Sequence, residues 1–180
     1  MSKYYYHGTT LYNMLEILKC GEIKCQRTLG YNYGLGNNGL DYISICNKLD
    51  DSMYTDYLRS SFFKYIKDNY CFIISDSVNA IKASYNSEAN KIYRHSDKID
   101  EYQVKDSIDI KDIIGIGIPF GIIGNITEDN NTTKEETINS IISLARVYGL
   151  DIIDTTEYNF VEKYEIKKCN NDGNNNKYIV

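Results

Sequence analysis

Tyr4-Tyr5-Tyr6-His7-Gly8-Thr9-Thr10 reads as a β-strand that stops at a His-Gly-Thr step. Aromatic side chains suit a pleated, half-buried surface, and Gly8 removes the side chain where the strand ends. Leu11, Met14, Leu15 and Leu18 then recur at helical spacing, and Gly21 closes the pattern as a C-terminal glycine does. Thr9 or Thr10 is placed to cap the helix start. Residues 22–25 would return as a short strand, so the chain opens strand, helix, strand.

Working outward, a polar glycine-rich loop over residues 30–39 leads into Asp41-Tyr42-Ile43-Ser44-Ile45-Cys46, which alternates like a strand with one buried face. Residues 51–65 read as a helix, 70–75 as a compact apolar strand and 86–100 as a loop. Strands are expected from Glu101 to Val104 and from Ile113 to Pro119. Thr133 with Glu136 fits a capping box, and Ile138, Ile141, Ile142 and Ala145 continue an amphipathic helix over 134–148. Residues 161–168 would form a late strand, and the Asn-rich stretch 170–176 a turn or frayed tail. Strands outnumber helices and mix with them irregularly, which predicts an α+β fold.

The chain has 180 residues, a length that fits one domain with a real core. Its 42% apolar and 25% charged residues are ordinary for a globular protein, so composition calls for neither disorder nor a membrane span. A net charge of −5 works against a surface that tracks phosphates, because such surfaces need clustered Lys and Arg. The tyrosine-rich, tryptophan-free composition reads as bias and carries no functional inference. Five cysteines (Cys20, Cys25, Cys46, Cys71, Cys169) at irregular spacing, with no apolar leader before them, read as reduced thiols of a cytosolic protein. No metal site is expected, since the cysteine spacing and two histidines do not complete one. The longest apolar stretch, residues 113–126, is broken by four glycines and Pro119 and is too short to span a bilayer.

Gly34-Leu35-Gly36-Asn37-Asn38-Gly39 matches G-x-G-x-x-G literally, but a dinucleotide fingerprint opens a helix and this one precedes a strand. Taken singly, His7 reads as a structural hydrogen-bonder, and Glu101 belongs to the charged run 97–101. Their meaning comes from an ordered set. Tyr6-His7-Gly8-Thr9, Gly39-Leu40-Asp41-Tyr42-Ile43-Ser44 and Asp100-Glu101-Tyr102-Gln103-Val104 resemble, in that order, the three motifs of the ADP-ribosyltransferase superfamily in its diphtheria-toxin and poly-ADP-ribose-polymerase branch. The resemblance covers about residues 1–120 of a single domain, with 121–180 as a C-terminal helix and strand extension.

That resemblance implies a split β-sandwich with peripheral helices, two antiparallel-rich sheets packed face to face, and NAD as substrate. It makes His7, Tyr42 and Glu101 the catalytic set. His7 would contact the adenine-side ribose, and the Gly8 backbone, with Thr9 beside it, would pair with the nicotinamide amide. Tyr42 would stack on the nicotinamide ring, with Tyr54 on its opposite face; Ser44 or Ser52 would bond the amide. Glu101 would hold the 2′-hydroxyl of the nicotinamide ribose as nicotinamide leaves. His7 and Glu101 are expected to reach one pocket within about 10 Å, as one ribose-sized ligand requires.

Two departures bear on the acceptor. Arginine-modifying members carry Glu or Gln two residues before the catalytic Glu, where this chain has Ile99, and they place Arg where this chain has His7. A guanidinium acceptor is disfavoured. The implied activity is mono-ADP-ribosylation of a macromolecule, protein favoured over nucleic acid, in the cytoplasm of the producing cell or of a target cell. The alternatives are an RNA 2′-phosphotransferase, which the sparse arginines Arg27, Arg59, Arg94 and Arg146 argue against, an NAD glycohydrolase, and a relative that binds without turnover.

Overall fold

The computed structural model describes residues 4–30, 40–46, 70–82, 101–120 and 131–156, with backbone alone at Glu101 and at 131–133. The expected helix at 51–65, the strand at 161–168, the loop at 86–100, and Tyr54, Ser52 and residues 31–39 lie outside them.

The opening behaves as its residues dictate. Strand β1 (Tyr4–Thr9) runs into helix α1 (Leu11–Cys20), and the Thr10 hydroxyl accepts from the Asn13 amide at 3.3 Å. Gly21, at φ 75°, donates its amide to the Ile17 carbonyl at 2.8 Å and turns the chain out of the helix. Leu11, Met14 and Leu18 are its buried positions. Strand β2 (Glu22–Lys24) follows, then β3 (Tyr42–Cys46), β4 (Tyr70–Ser75), β5 (Ile81–Lys82), β6 (Glu101–Lys105), β7 (Ser107–Asp109), β8 (Ile113–Ile118), helix α2 (Asn131–Tyr148) and β9 (Asp151–Asp154). Because α2 already runs from Asn131, Thr133 falls within its first turn and is not the cap that the Thr133–Glu136 box predicted.

Seven strands hydrogen-bond in the order β5-β6-β3-β1-β4-β8-β9, and β2 pairs with β7 in a second sheet. All pairings are antiparallel except β8 with β9. The α+β class is thus observed. Among the described residues the strands do not divide into two comparable sheets, because β1 pairs on both sides and joins the two halves.

Side chains alternate across a strand, so the pairing register sorts the core into two faces. On one, Ile43, Ile45, Phe72, Ile74 and Ile116 pack with α1, with Ile138, Ile141 and Ala145 of α2, and with Ile23 and Ile108 of the small sheet. On the other, Tyr6, Cys46, Cys71, Ile73 and Ile153 form a smaller cluster. The glycines inside β8 serve this packing. A Cβ on Gly115 would stand 3.1 Å from the Asp151 carbonyl oxygen, so a side chain there would press β9 outward. Among the described residues, no helix is long and apolar enough to cross a membrane.

Candidate active site

The three strands that carry the predicted motifs are neighbours in the sheet, in the order β6-β3-β1, although they come from residues 101–105, 42–46 and 4–9. Their pairing is uneven. β3 and β6 match at five positions, from Tyr42 opposite Lys105 to Cys46 opposite Glu101. β1 and β4 match at six, with His7 opposite Phe72, Gly8 opposite Cys71 and Thr9 opposite Tyr70. Among the described residues β1 and β3 match at one alone, Tyr6 opposite Cys46. Past that position the seam between β1 and β3 is bridged by a side chain. His7 Nδ1 lies 2.9 Å from the Ser44 carbonyl oxygen.

That contact fixes the tautomer. A carbonyl oxygen only accepts, so Nδ1 carries the proton and the neutral ring presents Nε2 as an acceptor. Nε2 has no hydrogen-bond partner among the described residues. Burial pushes the His7 pKa below its usual value, and the Ser44 carbonyl opposes that shift without cancelling it. The ring is therefore neutral near pH 7, a hydrogen-bond acceptor aimed away from its own anchor.

Alternation places Tyr42, Ser44 and Cys46 on the face of Tyr6, whereas His7 belongs to the row of Phe72 and Ile116 on the helix-covered face. The His7 ring and the Tyr42–Ser44 series thus meet the seam from opposite sides. Tyr42 and Ser44 are half-buried, as are His7 and Gly8; Thr9 is buried. Glu101 sits in register with Cys46, and its side chain lies outside the described residues, as does the expected approach of that side chain to His7. Tyr42 is four positions along β3 from Cys46, a rise of about 13 Å. The site residues therefore spread along the seam. His7 and Ser44 are the predicted pair brought into direct contact.

One feature had no signal in local sequence pattern. The Arg27 guanidinium grips Asp41 in a two-point ion pair, through Nε to Oδ1 and through a second nitrogen to Oδ2 at 3.2 Å, across a gap of fourteen residues. The Arg27 amide also donates to the Leu40 carbonyl at 2.9 Å. Arg27 holds the Asp41 carboxyl below the usual carboxylate range, chiefly through its hydrogen bond. Elsewhere, a hollow of about 270 Å3 beside the Lys105 end of β6 is lined in part by Val78, Asn79, Val104 and Ile108, and it includes none of the predicted site residues. No group of three or more His, Cys, Asp or Glu residues is poised to hold a metal ion among the described residues. No family model matches the chain, and no curated protein matches its sequence.

Proposed function

We propose that this chain is an NAD-dependent mono-ADP-ribosyltransferase that releases nicotinamide and passes ADP-ribose to a protein acceptor. The observation that carries the reading is the adjacency of β6, β3 and β1. The ordered motif resemblance requires three segments remote in sequence to line one site, and they are consecutive strands. The seam supplies the place. Beyond Tyr6 no further register pair joins β1 to β3, which leaves the β3-facing backbone of His7, Gly8 and Thr9 as the edge on which a carboxamide would pair.

In this reading NAD passes through the opened seam, its ribose reaching the His7 ring on one face of the sheet and its nicotinamide reaching Tyr42 on the other. The neutral His7 ring accepts from a ribose hydroxyl through Nε2, while the Ser44 carbonyl keeps the ring oriented. Tyr42 stacks on the nicotinamide ring, and Tyr54 covers its opposite face. As the bond from ribose C1′ to the nicotinamide nitrogen breaks, its electron pair leaves with nicotinamide, and positive charge develops on the ribose. The Glu101 carboxylate stabilises that charge and holds the 2′-hydroxyl; electrostatic stabilisation of this kind is usually the largest catalytic contribution. An acceptor nucleophile then bonds to C1′ and gives up its proton, with Glu101 as the base. Ile99, two residues before Glu101, offers no hydrogen bond to a guanidinium, so the acceptor is a group other than arginine.

Incubation with labelled NAD and a cell lysate tests the proposal. Label is expected on protein, with free nicotinamide in equal amount. Label on nucleic acid would move the acceptor class, free ADP-ribose would make the enzyme a glycohydrolase, and unchanged NAD would overturn the reading.

A further inference from the structure

We infer that Arg27 is a positioning residue for Tyr42, acting through Asp41 at the mouth of the β1–β3 seam. The inference rests on the reading of Tyr42 as the residue that stacks on nicotinamide. Two separate stretches of chain converge on Asp41, the residue immediately before Tyr42. The turn after β2 supplies Arg27, whose guanidinium holds the Asp41 carboxylate at two points and whose amide holds the Leu40 carbonyl. The corner between β6 and β7 supplies Asp106, whose amide donates to the Asp41 carbonyl at 2.9 Å. That corner is itself tied to the β2 side, because the Cys25 amide donates to the Asp106 carbonyl at 2.9 Å.

The chemistry of the pair suits position more than stability. Both side chains are substantially exposed, 57% for Arg27 and 37% for Asp41, and exposed ion pairs contribute little to folding. A planar guanidinium on a carboxylate nevertheless fixes direction as well as distance, which an ammonium does not. The direction fixed here is that of the first residue of β3. At this end Tyr42 is anchored by register to Lys105 of β6 on one side. On the other side β1 gives it no register partner, since the β1–β3 match lies four residues further on at Cys46. With no β1 partner at this end, the start of β3 is held by β6, by the Asp106 amide and by the Arg27 clamp.

The test uses the full chain and measures NAD affinity by calorimetry beside thermal melting and hydrogen exchange. Arg27→Met is expected to weaken NAD binding three- to tenfold, lower the midpoint of melting by under about 3 °C, and speed exchange at the Tyr42 and Asp106 amides. Arg27→Lys should recover only part of the affinity, and the exchanged pair Arg27→Asp with Asp41→Arg most of it. Arg27→Met that binds NAD as the wild type does would overturn the inference, as would unchanged exchange at Tyr42. A wild-type chain that does not bind NAD at all would overturn the proposed function, and the exchange data would then still decide whether Arg27 positions the start of β3.

Discussion

Gly117→Ala should destabilise the fold more than a single methyl usually does, and the structure says by which contacts. The new Cβ would stand 2.7 Å from Cys71 Sγ, against the 3.4 Å at which ordinary contact begins, and closer still to the Thr155 methyl. Neither neighbour can retreat. Thr155 is 1% exposed, with its amide held by the Ile118 carbonyl at 3.1 Å, and Cys71 is 2% exposed. Overpacking of a filled core costs about 1–3 kcal/mol, and two simultaneous clashes place this variant at about 2–3 kcal/mol. For a chain of this size that is a fall in melting midpoint of roughly 5–10 °C. Urea unfolding and calorimetry measure it. Thr155→Ser and Cys71→Ala, made together with Gly117→Ala, open the space and should return most of the loss. Because Cys71 sits opposite Gly8, uncorrected Gly117→Ala should also disturb the seam. Stability equal to wild type, or no recovery in the triple variant, would refute the packing argument.

Two further expectations concern ionisation and backbone strain. His7 has a folded pKa below its unfolded value of about 6.5, so the fold disfavours the imidazolium. Its contribution is present above pH 6.5 and is lost as pH falls from there toward the folded pKa; His7→Asn should flatten that part of the stability–pH curve, and an unchanged slope would remove His7 as its cause. Asp106, the non-glycine residue with φ 64° among those described, sits in a conformation that favours glycine. Asp106→Gly should leave stability unchanged or raise it by up to about 1 kcal/mol, whereas Asp106→Val should cost about 1–2 kcal/mol; a valine variant as stable as wild type would contradict the strain.

What could be read from sequence was what is local. Helix α1 announced itself with a threonine before it, a glycine after it and leucines on one face, and each of those residues does in the structure what its chemistry suggests. β3 and β6 were visible through alternation. The Thr133–Glu136 box misled because the sequence motif cannot say whether a preceding turn is already helical, and Asn131 already is. β9 carries no local signal: Asp151-Ile152-Ile153-Asp154 is too short to show a period, and its partner is a parallel strand across α2. The glycines of β8 read as interruptions in sequence for the same reason, since what packs against them, β9 and Thr155, comes from beyond α2. In the site, His7 was singled out by its strand-end position, but its bond to Ser44 joins residues thirty-seven apart. The Arg27–Asp41 clamp was likewise invisible, as nothing in either residue's neighbourhood names its partner.

Nicotinamide release from NAD, followed in wild type and in Glu101→Gln, tests the proposed activity most directly. The substitution keeps size and removes charge, so its effect falls on the transition state, with NAD binding largely kept. Wild type should release nicotinamide, and the variant should release it on the order of 10²–10³-fold more slowly, as loss of a preorganised electrostatic contact does, while NAD affinity stays within about threefold of wild type. A Glu101→Gln variant with undiminished release, or a wild-type chain that leaves NAD intact in the presence of acceptor lysate, would contradict the account.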